Sequence, residues 1–438
     1  MILRTYKLSL LASTLIISGC LESQPAPDLT EYPMADFTIE TVITGLDTPW
    51  SITPLPSGGY LVTEKMGALK RIHPDGSVQD ITGLPDDIYN KQQAGLFDIV
   101  AAPDFYTTGL IYLSYAYGTD DSNGTALISA NVSGGTLENI KVLFKASPDK
   151  DTSAHFGGRI VLMPDASIIL TLGDGFVYRE AAQDKNSHLG KIVRLNLDGT
   201  SYDANPFFGK SDVKTEIYSY GHRNVQGAAF DPLTGDLWAH EHGPRGGDEL
   251  NLITSGANYG WPLATTGTDY NGAKITPFKT KAGTKAFVKD WVPSIAPSGM
   301  AFVTTNTYGN KWKGSLLVGS LAFQYLERLE MSGTQVIKRE KLMEGLGRVR
   351  DVAEGPDGII YVAIEDKSFV IYGDEGINKV VPNNFWDGTK DIMLSHFKSG
   401  DFKQGLVEGI QKSGEQLKAY FPYLDSDTNE ISNTISKG

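Results

Sequence analysis

From about residue 37 to residue 374 the chain alternates short apolar runs with clusters of Gly, Pro, Asn and Asp, the pattern of β-strands separated by tight turns. Within this pattern a loose unit recurs, a turn followed by an apolar strand. Pro56-Ser57-Gly58-Gly59 precedes Tyr60-Leu61-Val62, and Pro103-Asp104 precedes Leu110-Ile111-Tyr112-Leu113. Pro164-Asp165 precedes Ile168-Ile169-Leu170, and Asp231-Pro232 precedes Leu237-Trp238. Trp312-Lys313-Gly314 precedes Leu316-Leu317-Val318, and Pro356-Asp357-Gly358 precedes Ile359-Ile360-Tyr361-Val362. Six such units predict an all-β, six-bladed β-propeller. Their uneven spacing predicts long insertions, the widest between Pro164 and about Trp312, and function is carried on long loops.

The pattern changes at both ends. After about Gly376 the spacing turns helical, and Asp391 to Phe421 reads as two helices joined at Ser399-Gly400-Asp401. Leu406, Ile410, Leu417 and Phe421 share one face, and Asp401 is placed to cap the second helix. Residues 376–438 are thus expected to be a short C-terminal helical hairpin with a polar tail, packed on the propeller or binding a partner. At the other end Arg4 and Lys7 precede the apolar run Leu8 to Ile17, then Ser18-Gly19-Cys20. This reads as a secretory signal over residues 1–19, and the run is too short for a transmembrane helix. Its end resembles a bacterial lipobox. The resemblance implies cleavage before Cys20, a lipid on Cys20 and, with Leu21 following, a lipoprotein of the bacterial outer membrane facing the periplasm. Residues 20–36, with Pro25, Pro27 and Pro33, would be a tether to a propeller domain spanning 37–375.

Composition narrows the function classes. The 438 residues are 40% hydrophobic and 21% charged with 48 glycines, which suits a globular, turn-rich chain. A net charge of -13 leaves no basic face for nucleic acid and disfavours anionic polymers as substrates. Cys20 is the single cysteine, so disulfides and thiolate chemistry are excluded from the domain.

Candidate chemistry gathers in the long-insertion region. Five of the seven histidines lie there: His155, His188, His222, His240 and His242. Glycine flanks charge at His155-Phe156-Gly157-Gly158-Arg159, Leu172-Gly173-Asp174-Gly175 and Gly221-His222-Arg223-Asn224, where backbone can approach a ligand. His240 and His242 would share one face of a strand, yet the spacing supplies no third zinc ligand. Oxygen donors around Gly243-Pro244, Asp248 and Glu249 are more plentiful and suit calcium. Arg348 and Arg350, two apart on a strand, would point to one side.

Ordered motifs make the likeness specific. They are Gly45-Leu46 with Pro49-Trp50, Val62-Thr63-Glu64, Gln93-Ala94-Gly95-Leu96, the His155 and Asp174 segments, and Ser187-His188-Leu189-Gly190-Lys191. Tyr220 to Asn224, Glu241 to Asn251, Ala257-Asn258-Tyr259-Gly260-Trp261-Pro262 and Arg348-Val349-Arg350-Asp351 follow. Together, from about Thr41 to Tyr372, they resemble the soluble glucose and aldose sugar dehydrogenases that use pyrroloquinoline quinone (PQQ), the aldose branch more closely. The resemblance implies that His155 is the base that takes the proton of the sugar C1 hydroxyl and that Asp174 orients it. It implies that Arg223 and Asn224 contact the quinone, and that Gln93, Arg348 and Arg350 also hold PQQ. Main-chain carbonyls of Gly243 and Pro244 would bind a catalytic calcium ion (Ca2+), and Asp248, Glu249 and Tyr259 a second, structural one. The implied reaction oxidises an aldose sugar at C1 to the lactone and passes electrons to an external acceptor. One position departs. In the best-known member a lysine that contacts PQQ follows the Leu-Leu-Val-x-Ser-Leu strand, whereas Ala322 stands here. A calcium-dependent lactonase-like hydrolase and a non-catalytic, envelope-tethered sugar- or protein-binding propeller are the alternatives.

Overall fold

A computed structural model describes residues 39–345, 347–365, 387–398 and 402–420. The signal segment, the whole tether from Cys20 to residue 36, the Ser399-Gly400-Asp401 joint with its expected cap, and the tail from residue 421 lie outside the described residues. Among the described residues twenty-two strands form six antiparallel sheets that follow one another along the chain. The first holds β1 (Pro49–Pro54), β2 (Tyr60–Glu64), β3 (Ala68–Ile72) and β4 (Val78–Ile81). The second holds β5 (Leu96–Ala101), β6 (Leu110–Gly118), β7 (Asn123–Ser133) and β8 (Thr136–Lys145). The third holds β9 (Gly157–Leu162), β10 (Ser167–Leu172), β11 (Lys191–Asn196) and β12 (Ile217–Tyr220). The fourth holds β13 (Val225–Asp231), β14 (Asp236–Glu241), β15 (Asp248–Ile253) and β16 (Lys289–Trp291). The fifth holds β17 (Pro297–Phe302), β18 (Leu316–Ser320), β19 (Tyr325–Ser332) and β20 (Gln335–Leu342). The sixth holds β21 (Arg348–Glu354) and β22 (Ile360–Glu365).

This is an all-β propeller. Each sheet's first strand packs on the first strand of the next, from β1 through β5, β9, β13 and β17 to β21, and β21 returns to β1. The sequence predicted six blades; the structure shows five complete four-stranded blades, and the sixth sheet has two strands among the described residues. The six recurrent turns fall between the first and second strands of the six sheets. Five of those second strands are largely buried on both faces between neighbouring sheets, β10 and β18 along their whole length, while β22 is half-buried. That explains why they read as continuous apolar runs rather than alternating ones. The outer strand β8 has water on one side and is mostly exposed.

The core consists of separate apolar layers between adjacent sheets. Leu61, Leu69, Ile99, Leu113 and Ile128 fill the first, and Leu127, Phe144, Leu170 and Val193 the second. Trp238, Trp291, Phe302 and Val318 fill the layer between the fourth and fifth sheets. Each such side chain contributes about 1.5–3 kcal/mol by leaving water. Beyond the sheets, α1 (Asp387–Lys398) and α2 (Phe402–Tyr420) pack on each other, starting four residues before the expected helical onset. His396 Nε2 and Glu408 Oε2, 2.9 Å apart, join the pair, while Leu406, Val407 and Ile410 are exposed. No helix among the described residues is long and apolar enough to cross a membrane.

Candidate active site

In an antiparallel hairpin the start of the first strand and the end of the second lie at the same end. Gln93 precedes β5, His155 precedes β9, Asp174 follows β10, Arg223 and Asn224 precede β13, His242 follows β14, and Arg348 opens β21. The topology therefore brings residues scattered from 93 to 350 to one mouth of the propeller.

His155 and Asp174 form the centre of this mouth. Both are buried, at 3% and 0% exposure, and Nδ1 of His155 lies 2.7 Å from Asp174 Oδ1. An ionised carboxylate only accepts hydrogen bonds, so Nδ1 carries the proton and Nε2 the lone pair. Burial holds the imidazole below its ordinary titration range, Asp174 opposes that shift, and the charge of Arg223 adds to it. The ring is accordingly a neutral base near pH 7. Burial pushes the Asp174 carboxyl up, but the bond to His155, the charge of Arg223 and the Phe176 N–H outweigh it and hold the group below its usual range. The Phe176 N–H donates to Oδ1 at 2.8 Å, and the Trp261 Nε1–H donates to Oδ2 at 2.7 Å. His155 itself has left-handed backbone (φ 56°), a strained state for a residue with a side chain. Its N–H donates to Gln93 Oε1 at 2.9 Å, so Gln93 holds the backbone of the base. Phe176 stands edge-on to the imidazole at 5.1 Å and tilts toward Tyr270 at 6.3 Å, and both aromatic rings are exposed at the rim.

Arg223 is buried beside this pair. Its Nη1 donates to the carbonyls of His242 (2.9 Å) and Gly243 (2.6 Å), and its backbone N–H donates to Glu241 Oε2 at 2.5 Å. Glu241 Oε1 also faces His222 Nδ1 at 3.0 Å and accepts from Asn251 at 3.2 Å, so one carboxylate anchors the whole 222–223 segment. Asn224 Oδ1 accepts from the Gly157 N–H at 3.2 Å, joining the fourth blade to the His155 loop. His242 completes the wall: Nε2 lies 2.7 Å from Pro297 O, and burial, with the charges of Arg350 and Arg223, outweighs that carbonyl and pushes the imidazole down to about 3, so the ring is neutral near pH 7. Its Nε2 is thus engaged by a carbonyl, and no group of three or more His, Cys, Asp or Glu suited to a metal occurs among the described residues.

Arg348 and Arg350 both bind Glu365 across the β21–β22 pair, although a bulge between Val349 and Asp351 interrupts the alternation that a period of two assumes. Arg348 Nε donates to Glu365 Oε2 at 2.6 Å and Arg350 Nε to Oε1 at 2.7 Å. Lys65 belongs to the same cluster: burial lowers its pKa, the charges of Arg350 and Arg348 add to that, and Glu365 opposes them. Three cations around one carboxylate leave surplus positive charge, a donor set that fits a small polyanion. Sequence reasoning assigned no role to Lys65, Glu365, Glu241 or Trp261. Ala322, at the end of β18, is exposed and bonds only through its backbone to Ile295 O at 3.1 Å.

The expected metal ligands separate. Asp248 and Glu249 are consecutive on β15, so their side chains point to opposite faces. Asp248 Oδ1 accepts from the Gly243 N–H at 3.0 Å, and its Oδ2 accepts from the Ala296 N–H at 2.9 Å and from Ser294. That carboxylate shapes the Gly243 turn, a role different from the shared site expected with Glu249. Glu249 stands directly opposite Glu241 in the ladder and lines a small pocket with Gly243, Pro244, Glu241 and Tyr259. Burial and the Glu241 charge push its carboxyl well above the usual range. The Tyr259 hydroxyl is occupied, donating to Leu252 O at 2.6 Å and accepting from the Thr254 N–H at 2.8 Å, so only its backbone oxygen is left to offer. Two facing carboxylates and several carbonyls make a hard-oxygen set that fits a divalent cation such as calcium.

Comparison with known proteins agrees with this picture. The profile of the Glucose / Sorbosone dehydrogenase family matches residues 46–372. A TPM-domain profile matches residues 344–416, overlapping the end of the first and running into the helices. The chain is 38% identical over 342 residues to the aldose sugar dehydrogenase YliI of Escherichia coli, covering 76% of this chain and 91% of that protein. It is 28% identical over 429 residues to quinoprotein glucose dehydrogenase B of Acinetobacter calcoaceticus, covering 78% and 88%. The PQQ-bound structure of the aldose sugar dehydrogenase of Streptomyces coelicolor superposes with a TM-score of 0.62 at 30% identity, covering 77% of this chain and 94% of that one.

Proposed function

The chain belongs to the glucose / sorbosone dehydrogenase family, and from that premise we propose that it oxidises aldose sugars at C1 to the lactone with PQQ and calcium. The observation that carries the proposal is the buried His155–Asp174 pair, with a neutral imidazole whose lone pair is on Nε2. When bound, PQQ supplies the quinone that accepts a hydride. Nε2 of His155 takes the C1 hydroxyl proton, work worth about 10²–10⁴-fold in rate for a well-placed base. Asp174 stays ionised and stabilises the imidazolium. Arg223 places a fixed cation where negative charge develops. Lys65, Arg348 and Arg350 would hold the carboxylates of the cofactor, with Gln93 and Asn224 shaping the wall beside them. The carbonyls of Gly243 and Pro244 would hold the calcium ion near the quinone, and Glu241, Glu249 and the Tyr259 carbonyl a second one. The exposed rings of Phe176 and Tyr270 offer an apolar face against which a sugar ring can pack. Electrons leave to an external acceptor.

The remaining elements of the proposal are architectural. The sixth sheet is read as the inner half of a sixth blade, supported by its own copy of the turn–strand unit and its place between β17 and β1. The segment ending at Cys20 is read as a lipoprotein signal that anchors the enzyme to the outer membrane on its periplasmic side. Reconstitution of the purified chain with PQQ and Ca²⁺, followed by dye reduction over a panel of aldoses, tests the activity, with His155→Ala as the control. No thermal shift with PQQ and no turnover of any aldose would sink it, because a ligand at 100 times its Kd adds about 2.7 kcal/mol of apparent stability.

A further inference from the structure

Trp261 lies on a loop whose backbone is held from both sides. Its N–H donates to Gly221 O at 2.8 Å, and its carbonyl accepts from Gln183 Nε2 at 2.7 Å. The same Gln183 exchanges two hydrogen bonds with Asn258, at 3.0 and 2.8 Å. The indole, 6% exposed, therefore reaches the site from a fixed base. It meets two functional groups there. Nε1–H donates to Asp174 Oδ2 at 2.7 Å, and the guanidinium carbon of Arg223 lies 5.4 Å from the ring centroid.

The two carboxylate oxygens of Asp174 divide their work. Oδ1 serves His155 Nδ1 and the Phe176 N–H, while Oδ2 serves Trp261. A donor on a carboxylate stabilises its charged form and draws off the charge that would otherwise pull on the His155 proton. We propose that Trp261 is a positioning residue that sets how strongly Asp174 pulls on the His155 Nδ1 proton and holds Arg223 in register with that pair. The kinetic consequence rests on the proposed role of His155 as the base; the hydrogen-bond chain itself does not. Without the N–H, Asp174 pulls harder, and the imidazole becomes more basic and remains protonated to a higher pH. The titratable and charged groups acting on His155 are Asp174, Arg223, Lys150 and His242, and none of them is substituted in the Trp261 variants below.

The test compares the native full-length chain with Trp261→Phe and with a chain carrying 3-benzothienylalanine at position 261, an isostere with sulfur in place of the N–H. Histidine-labelled protein free of PQQ is titrated by NMR, and His155→Gln identifies the resonance. Both variants are expected to raise the His155 titration by about one unit, a tenfold gain in proton affinity. In the reconstituted enzyme the acid limb of kcat should move up equally, with KM changed less than about twofold. A His155 titration within about 0.2 unit of native in both variants overturns the proposal, whatever happens to activity. If Trp261→Phe fails to fold, the isostere alone decides. A titration that moves while the native enzyme turns over no aldose leaves the positioning role standing and removes the proposed function.

Discussion

Replacing Arg159 with methionine should cost the propeller more stability than most single changes. Arg159 projects from β9 into the middle of the ring. Its Nη1 donates to Asp98 Oδ1 on β5 (3.2 Å) and Asp351 Oδ1 on β21 (3.0 Å), and its Nε donates to Gln226 O on β13 (3.2 Å). Its guanidinium lies 4.4 Å from the ring of Trp50 on β1. The carboxylates reach β1 as well, since Asp98 accepts from Ser51 at 2.6 Å and Asp351 from the Ile52 N–H at 2.9 Å. One side chain thus ties together five of the six innermost strands. Removing it strands two carboxylates that are about as buried as the arginine, and breaking a buried pair in this way costs about 3–5 kcal/mol. Chemical unfolding of the cofactor-free chain, followed by tryptophan fluorescence, measures the loss. Acid should relieve it. Burial already raises Asp351 to about 6, so between its unfolded value of 3.8 and that pH the folded chain holds the extra proton and stability falls as pH rises. Without the guanidinium that fall should steepen and extend to higher pH, making Arg159→Met more costly at pH 8 than at pH 5. The triple variant Arg159→Met, Asp98→Asn, Asp351→Asn should recover at least half the loss. A cost for Arg159→Met below about 1 kcal/mol would refute the argument that charge holds the centre.

Three other outcomes follow from the site. Asp174→Asn can offer only one oxygen, so its amide must face either the His155 Nδ1–H or the Trp261 Nε1–H; kcat should fall about 10²–10⁴-fold in the dye assay with the fold intact by circular dichroism. The native enzyme should lose kcat/KM as pH falls through the His155 titration and not before. Because burial lowers that titration, the half-point should lie below the ordinary 6.5, and a pH–rate profile checks the sign. Lys65→Met should weaken PQQ binding about 10–100-fold, the worth of one charged hydrogen bond, measured by titrating the cofactor into the PQQ-free chain; unchanged affinity would remove Lys65 from the cofactor cluster.

The fold was legible wherever a local pattern carries it. The turn–strand unit marks the same hairpin in every sheet because its turn is tight and, in five of the six, its strand is largely buried on both faces. Arg348 and Arg350 do meet on Glu365, but through a bulge between Val349 and Asp351 that a plain period of two does not foresee. Applied to Asp248 and Glu249, the same rule separates them across the strand, and this parity was available in the sequence. What it could not supply were partners brought in by closure of the ring. Trp261 meets Asp174 across 87 residues, and Asp351 meets Arg159 across 192. Glu365 is claimed by the arginines only because β22 returns alongside β21. These contacts depend on how blades stack, and no spacing along the chain encodes that distance.

The segment His155-Phe156-Gly157-Gly158-Arg159 shows how tightly chemistry and architecture are joined. His155 stands at the mouth with strained backbone, and four residues later Arg159 binds the centre of the ring. Phe156 lies between them, packed on Phe97 at 5.7 Å and beneath the Lys150 ammonium, 3.4 Å from its centroid. The two glycines admit no side chain. Both have positive φ, and a Cβ at Gly157 would stand 2.6 Å from Thr171 O, and one at Gly158 2.7 Å from the Phe97 ring. The strand therefore threads a gap with no lateral freedom, and any shift at Arg159 must pass to His155. A base that has to meet a hydroxyl within hydrogen-bond reach loses about 10²-fold for a misplacement of about 1 Å. Anchoring it to a side chain that ties five of the six innermost strands gives it that accuracy from the fold itself, and so damage at Arg159 should reach the rate of the reaction as well as the stability of the propeller.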